Sequence, residues 1–204
     1  MSVQQMTTVF ACLTVVAAVL GIAAAGASIF GRSSASVQDF RVVNAPSVLV
    51  MAALIPLTAM LGSLYYSEVA NFTPCRYCWF QRVFMYSTAV ILVIAAARKD
   101  MSIKPYAMAL TGIGAMIGLY HVLLERDIIT ESSSCDPNNP CTLDWLQHKW
   151  GGWITIPSMS FVGFCATFAL LSLLPGRRRL ERHDLEQQEL EQPEVDSLDM
   201  MEEV

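Results

Sequence analysis

Residues 74–99 read PCRYCWFQRVFMYSTAVILVIAAARK. Two cysteines three positions apart stand before an apolar run, and one cation, Arg82, lies a few residues inside it. The run ends on Arg98 and Lys99. Spanning the hydrocarbon core as a helix takes about 20 mostly apolar residues. Residues 80–97 therefore read as a transmembrane helix with a thiol pair at its mouth.

The rest of the chain follows the same pattern. Its 204 residues are 54% apolar and 15% charged, with a mean hydropathy of +0.45. A soluble domain carries roughly a quarter charged residues. Four further segments are long and apolar enough to span: about 8–30, 47–69, 105–124 and 154–174. Pro56 falls inside the second, where a kink is tolerated if neighbours satisfy the freed carbonyl. In the fourth, Gly112, Gly114 and Gly118 read either as a close helix contact or as ordinary membrane glycine. The expected fold is an all-α membrane protein, a four-helix transmembrane bundle plus one extra N-terminal transmembrane helix. Its units are an anchor and link (1–46), a four-helix core (47–174) and an acidic tail (175–204).

The net charge of −5 belongs to that tail. Residues 175–204 hold four arginines and ten acids, a balance of −6, and the other 174 residues balance at +1. Nucleic-acid binding would need a basic patch beside exposed aromatics, and none is present. The tail reads as a solvated cytoplasmic extension.

Basic residues orient the spans. Arg32 and Arg41, then Arg98, Lys99 and Lys104, then Arg177, Arg178 and Arg179 all fall on one side, which is thereby cytoplasmic. The N-terminus, the Cys75 segment and loop 125–153 then face outward. The first span could be a secretory signal, since AAAGAS (23–28) offers small residues, but MSVQQM (1–6) lacks a positive n-region. It is expected to remain as an N-out anchor.

Of six cysteines, Cys12 and Cys165 sit within spans as small apolar fillers. The other four, Cys75, Cys78, Cys135 and Cys141, lie on the outward face, where the compartment is oxidising. Disulfides, metal ligation and redox chemistry all remain open for them. Four cysteines can hold zinc, although the second spacing, C-x5-C, is untypical. At a helix mouth, unpaired N–H groups and the dipole favour a thiolate at Cys75 and Cys78. At 100° per residue Cys75, Cys78 and Arg82 fall within about 60° of one another. An arginine inside a span either marks a functional site or snorkels to the headgroups. Its alignment with the thiols favours the first. Between Cys135 and Cys141, Asp136-Pro137-Asn138-Asn139-Pro140 forms a turn that can bring the sulfurs together. Trp145, Trp150 and Trp153 then suggest an interfacial belt. His148 and His183 belong to no constellation.

These motifs together, PCRYCWFQR (74–82), YHVLLE (120–125), the Cys135–Cys141 loop and WGGWITIPSMSF (150–161), make the chain similar to the DsbB/BdbC family of membrane disulfide-bond oxidoreductases. The resemblance covers about residues 47–174. It implies oxidation of an extracytoplasmic thioredoxin-fold thiol oxidase, with electrons passing to a membrane quinone, ubiquinone or menaquinone. It implies that Cys135 forms the mixed disulfide with the partner and that Cys141 exchanges with Cys75. It further implies that Cys78 meets the quinone ring, Arg82 polarises a quinone oxygen, and His121 lies near that site. Glu125, one turn further out, reads as a partner of His121 or as a solvated acid. The first span and the tail lie outside the family core, and the Cys135–Cys141 loop is short, as in the BdbC type. Two alternatives are a vitamin K epoxide reductase-like quinone reductase and a non-enzymatic membrane protein with structural disulfides.

Overall fold

A computed structural model describes residues 3–31, 35–130, 135, 140–142, 146, 152–176, 182 and 185. Arg32, turn residues 136–139, Trp145, His148, Trp150, Arg177, Arg178, Arg179, His183 and nearly all of the acidic tail lie outside them.

The chain folds as helices alone among the described residues: α1 (Val3–Phe30), α2 (Ala35–Val43), α3 (Ala45–Leu64), α4 (Arg76–Arg98), α5 (Lys104–Glu125) and α6 (Ile156–Leu173). A π-helical turn, Tyr65–Val69, extends α3, and a 3-10 turn, Met101–Ile103, leads into α5. All except α2 are long and apolar enough to cross a membrane. The expected spans agree with these helices to within a few residues at most ends. The link between the first two spans is itself helical, as α2, rather than a plain connection.

The helix starts follow from local chemistry. Thr155 caps α6 through a capping box: its hydroxyl accepts from the Ser158 N–H at 3.3 Å, while Ser158 Oγ accepts from the Thr155 N–H at 2.8 Å. Proline stands in the first turn of α3, α5 and α6, where its missing N–H costs nothing. Helix α3 runs through Pro56 without interruption. Helix α4 ends at Lys99 in the left-handed conformation, φ 54°.

Helices α3, α4, α5 and α6 pack in sequence, and α6 closes back on α3 to complete a four-helix ring; α1 lies outside it, against α6. At one end the core is built of small side chains, Ala45, Ala52, Ala53, Ala95 and Ala107, around Leu49, Leu92 and Leu171. Lipid gives no hydrophobic drive between helices, so close backbone approach and dispersion hold such a core. At this end Arg41 donates from Nε to the Leu173 carbonyl at 2.8 Å and from Nη2 to that of Ser172 at 2.7 Å. Lys104 Nζ donates to the Leu174 carbonyl. Two cations counted for topology thus also cap the carbonyl end of α6, where the helix dipole favours positive charge. The cysteines Cys75, Cys78, Cys135 and Cys141 gather at the opposite end.

The glycines of α5 differ in what they do. A Cβ at Gly114 would collide with the ring of Phe164, and one at Gly118 would stand 3.2 Å from the Phe161 Cα. At Gly112 it would meet only Phe168 Cε2 at 3.7 Å, an ordinary contact. The α5–α6 contact therefore rests on Gly114 and Gly118. Gly114→Ala is expected to lower stability by about 1–3 kcal/mol, since Phe164 is fully buried and must shift. Gly112→Ala should leave it unchanged or slightly raised. Thermal unfolding in detergent distinguishes the two.

Candidate active site

Helix α3 does not end cleanly. After Leu64 it widens into the π-helical turn, where the Ala70 N–H reaches the Tyr65 carbonyl at 3.1 Å. The buried Tyr66 stacks on Phe72, with ring centroids 5.6 Å apart and planes 8° apart. This packing carries the chain through Asn71, in the left-handed region at φ 55°, to Cys75. Cys75 is the N-cap of α4: its backbone is extended, and its sulfur accepts from the Cys78 N–H at 3.3 Å. A thiol thus occupies the place that serine or aspartate usually fills.

The Cys75 and Cys78 sulfurs are free thiols 2.8 Å apart, while Cys135 and Cys141 are joined in a disulfide. Both pairs belong to one cluster. Cys75 (5% exposed), Cys141 (2%) and Leu124 form its buried centre, with Cys78, Cys135 and Tyr77 packed around them.

His121, 1% exposed, sits between the pairs. Its Nε2 lies 3.6 Å from Cys75 Sγ and 3.1 Å from the Cys141 carbonyl oxygen, and its Nδ1 lies 2.9 Å from Gln81 Nε2. With the Gln81 amide donating to Nδ1, the ring proton belongs on Nε2, where it is donated to the Cys141 carbonyl; this tautomer is assigned from the network. Glu125 reaches across to α6. It is half-buried, and its Oε2 accepts from the Thr155 hydroxyl at 2.6 Å, tying the end of α5 to the cap of α6.

The Cys75 thiol is held below the usual thiol range. The hydrogen bond from the Cys78 thiol does most to lower it, burial opposes this, and His121 and the Cys78 N–H lower it further. Cys75, Cys78 and His121 also offer three metal-ligand atoms within 4.8 Å of one another. The four-cysteine zinc set is not assembled, because Cys135 and Cys141 spend their thiolates on each other.

Arg82 is half-buried and held against α3. Its Nε donates to Ser63 Oγ at 2.9 Å and its Nη2 to the Ser63 carbonyl at 3.0 Å, and the guanidinium stands 5.3 Å from the Trp79 ring centroid. Cys78, Gln81 and Arg82 line a cavity of about 450 Å³ between α1, α3, α4 and α6. Leu13, Ala17 and Leu20 of α1 face Leu54 and Ile55 of α3 across it, and Met159 and Gly163 supply the α6 side. Among the described residues, neither His121 nor Cys75 lines this cavity. The two lie in the cysteine cluster, and Gln81 belongs to both places. Cys12 and Cys165 are exposed on the outside of the bundle, away from either.

Ser63 and Gln81 escape a reading of the sequence alone. Gln81 carried a signal, a polar residue one turn from Cys78 in an apolar run. Ser63 carried none, since only the fold brings it to Arg82.

A multi-pass bundle with two cysteine pairs in one buried cluster, one a disulfide and the other a thiol pair with an activated sulfur, defines a membrane thiol–disulfide oxidoreductase. The family model described as disulfide bond formation protein DsbB matches residues 45–174, and the chain belongs to that family. It is 39% identical over 117 residues to the probable disulfide formation protein C of Bacillus cereus, covering 57% of this chain and 82% of that one. To the disulfide bond formation protein C of Bacillus subtilis it is 36% identical over 126 residues, covering 61% and 90%. To the probable disulfide formation protein of Deinococcus radiodurans it is 35% identical over 137 residues, covering 64% and 90%. No solved structure matches the chain.

A lowered thiol pKa leaves the thiolate populated at pH values where an ordinary thiol, near 8.5, is protonated. In the reduced protein the rate of Cys75 alkylation should therefore hold steady as pH falls through 7 and decline only below it. Cys78→Ala and His121→Ala should each move the midpoint upward. Mass spectrometric labelling of Cys75 across pH 5–9 reads the shift.

Proposed function

We propose that the chain oxidises an extracytoplasmic thioredoxin-fold thiol oxidase and delivers the electrons to a membrane quinone. In this reading the N-terminus and both thiol segments face outward and the C-terminus is cytoplasmic, as the basic residues favour. The observation that carries the proposal is the continuity of the site. The Cys135–Cys141 disulfide packs against Cys75, and Cys78 opens into a largely apolar cavity shared with Arg82.

Exchange is thiolate attack on a disulfide sulfur, so each step releases one thiolate for each it consumes. A partner thiolate attacks Cys135, and Cys141 leaves as thiolate. The partner's second thiol then displaces Cys135, and the partner departs as a disulfide. Cys141 attacks Cys75 of an oxidised Cys75–Cys78 pair, freeing Cys78. Cys135 next attacks Cys141, and Cys75 is the leaving group. A low thiol pKa speeds that departure, which suits the stabilised Cys75 sulfur. The result is a Cys135–Cys141 disulfide beside two thiols, the arrangement found here.

The cavity residues suit a quinone. Its volume lies in the range of small-molecule sites, its walls are mainly apolar, and its polar end presents a thiol and a guanidinium together. A bound quinone supplies a two-electron, two-proton acceptor that side chains cannot. Cys78 stands where its sulfur can give up electrons, and Arg82 is placed to stabilise negative charge developing beside it. His121 serves the same route by holding Cys75 and the Cys141 carbonyl together. The free thiols of Cys75 and Cys78 beside a cavity are not what a pair of loop staples requires.

Purified protein supplied with a reduced thioredoxin-fold partner and a short-chain quinone is expected to reduce the quinone, followed by absorbance. Cys78→Ser should abolish the rate. Arg82→Ala should lower it about 100-fold, the scale of losing one donor to a developing oxyanion. If both variants keep the parent rate, the route is wrong.

A further inference from the structure

Tyr86 lies one helical turn beyond Arg82 on α4 and lines the same cavity. Its hydroxyl oxygen is buried, and it is the one buried side-chain polar atom without a hydrogen-bond partner among the described residues. Buried hydroxyls are nearly always paired, and an orphan costs stability. Several other polar groups around the cavity already have partners. The Thr14 hydroxyl donates to the Phe10 carbonyl, the Gln81 amide meets His121, and Ser63 accepts from Arg82. An unspent donor on a side chain that lines a largely apolar cavity points to a ligand that brings an acceptor.

We propose that the Tyr86 hydroxyl is the second polar anchor of the quinone ring, donating a hydrogen bond to the carbonyl oxygen at the end away from Cys78 and Arg82. This rests on the quinone reading above and deepens it. Four residues of helix rise about 6 Å, which suits a six-membered ring carrying an oxygen at each end. The ring then lies along α4 with Arg82 at one oxygen and Tyr86 at the other. The ligand class is accordingly a para-quinone with two carbonyls rather than any flat apolar ring. Oxidation of the Cys75 and Cys78 thiols to a disulfide releases two electrons and two protons, which match conversion of the quinone to its hydroquinone. Tyr86 keeps its own proton throughout. Its donor stabilises the charge that grows on the far oxygen, as Arg82 does on the near one.

The test uses the full chain in detergent, freed of quinone and titrated with a short-tailed 1,4-quinone, with binding read by quenching of tryptophan fluorescence. Tyr86→Phe is expected to raise the dissociation constant about 3- to 10-fold, the worth of one hydrogen bond. Without quinone, the same variant should unfold at the parent temperature or above it, because phenylalanine leaves no orphan hydroxyl. If the parent binds the quinone and Tyr86→Phe binds it equally well, the Tyr86 inference is overturned while the quinone site stands. A lower unfolding temperature of Tyr86→Phe without quinone also overturns it, since the hydroxyl would then have a structural partner. If the parent itself binds no quinone, the functional reading fails and the inference with it.

Discussion

The Arg82 guanidinium sits inside a membrane-spanning helix, and arginine does not shed its charge to escape the cost of being there. It has to be satisfied within the bundle. Both its hydrogen bonds run to Ser63, on the facing helix α3, and Trp79 covers one side. That clasp ties α3 to α4 one turn deeper than Cys78, and it keeps the cation beside the cavity rather than at the headgroups. Snorkelling would have taken the charge out of the cavity. Ser63 stands just before α3 widens into its π-helical turn, a distortion often found at functional sites. The same distortion leads the chain toward Cys75, so one local irregularity serves the cation and the thiol.

The second constraint is burial of the exchange chemistry. His121 is nearly inaccessible, and each of its ring nitrogens is engaged. A buried polar group left unpaired would be expensive, so Gln81 and the Cys141 carbonyl are needed to keep the imidazole inside. The arrangement makes His121 a connector between α5, the N-terminus of α4 and the loop that carries the disulfide. Gln81 also faces the cavity, so displacement there is felt one hydrogen bond away at the cysteine cluster. The thiol relay and the cavity thus adjoin, with Cys78 and Gln81 belonging to both.

Much of this was legible in the sequence, and the parts that were not share a cause. Five spans follow from apolar length alone, because the bilayer imposes a length on each helix. The alignment of Cys75, Cys78 and Arg82 follows from helical phase, which is local. Arg82 bonding to Ser63 is not local: nineteen positions separate them, and a serine in a span carries no mark of its partner. Glu125 was read from its neighbour on α5, His121, or as a solvated acid, and its hydrogen bond to Thr155 of the α6 cap could not be read from either. The three glycines of α5 could be recognised as a set, but only the position of Phe164 and Phe161 separates Gly114 and Gly118 from Gly112. His121 was expected near the quinone on the strength of a resemblance. It stands beside the cysteines, one hydrogen bond from the cavity through Gln81, because depth in the membrane says nothing about which face of the bundle a side chain meets.

Helix α1 shows how a segment outside the matched family region can still shape the site. It lies before residue 45, yet Leu13, Ala17 and Leu20 form one wall of the cavity. Its fit against the core is tight: a Cβ at Gly21 would stand 2.9 Å from the Ala166 Cα, and one at Gly62 would stand 2.9 Å from the ring of Phe10. Tyr66, which stacks on Phe72 in the lead-in to Cys75, also donates its hydroxyl to Thr7 Oγ1 at 3.1 Å. Small residues that admit another backbone are what helix association in lipid rewards, and here they appear on both sides of the contact. Without α1, the face of α3 and α6 that carries Met51, Leu54, Ile55 and Gly163 would open to lipid. With it, that face becomes the inside of a cavity whose polar end holds Cys78 and Arg82. The added helix therefore changes the surroundings of the cavity from bilayer to protein, while the cysteine cluster remains the work of the four-helix core.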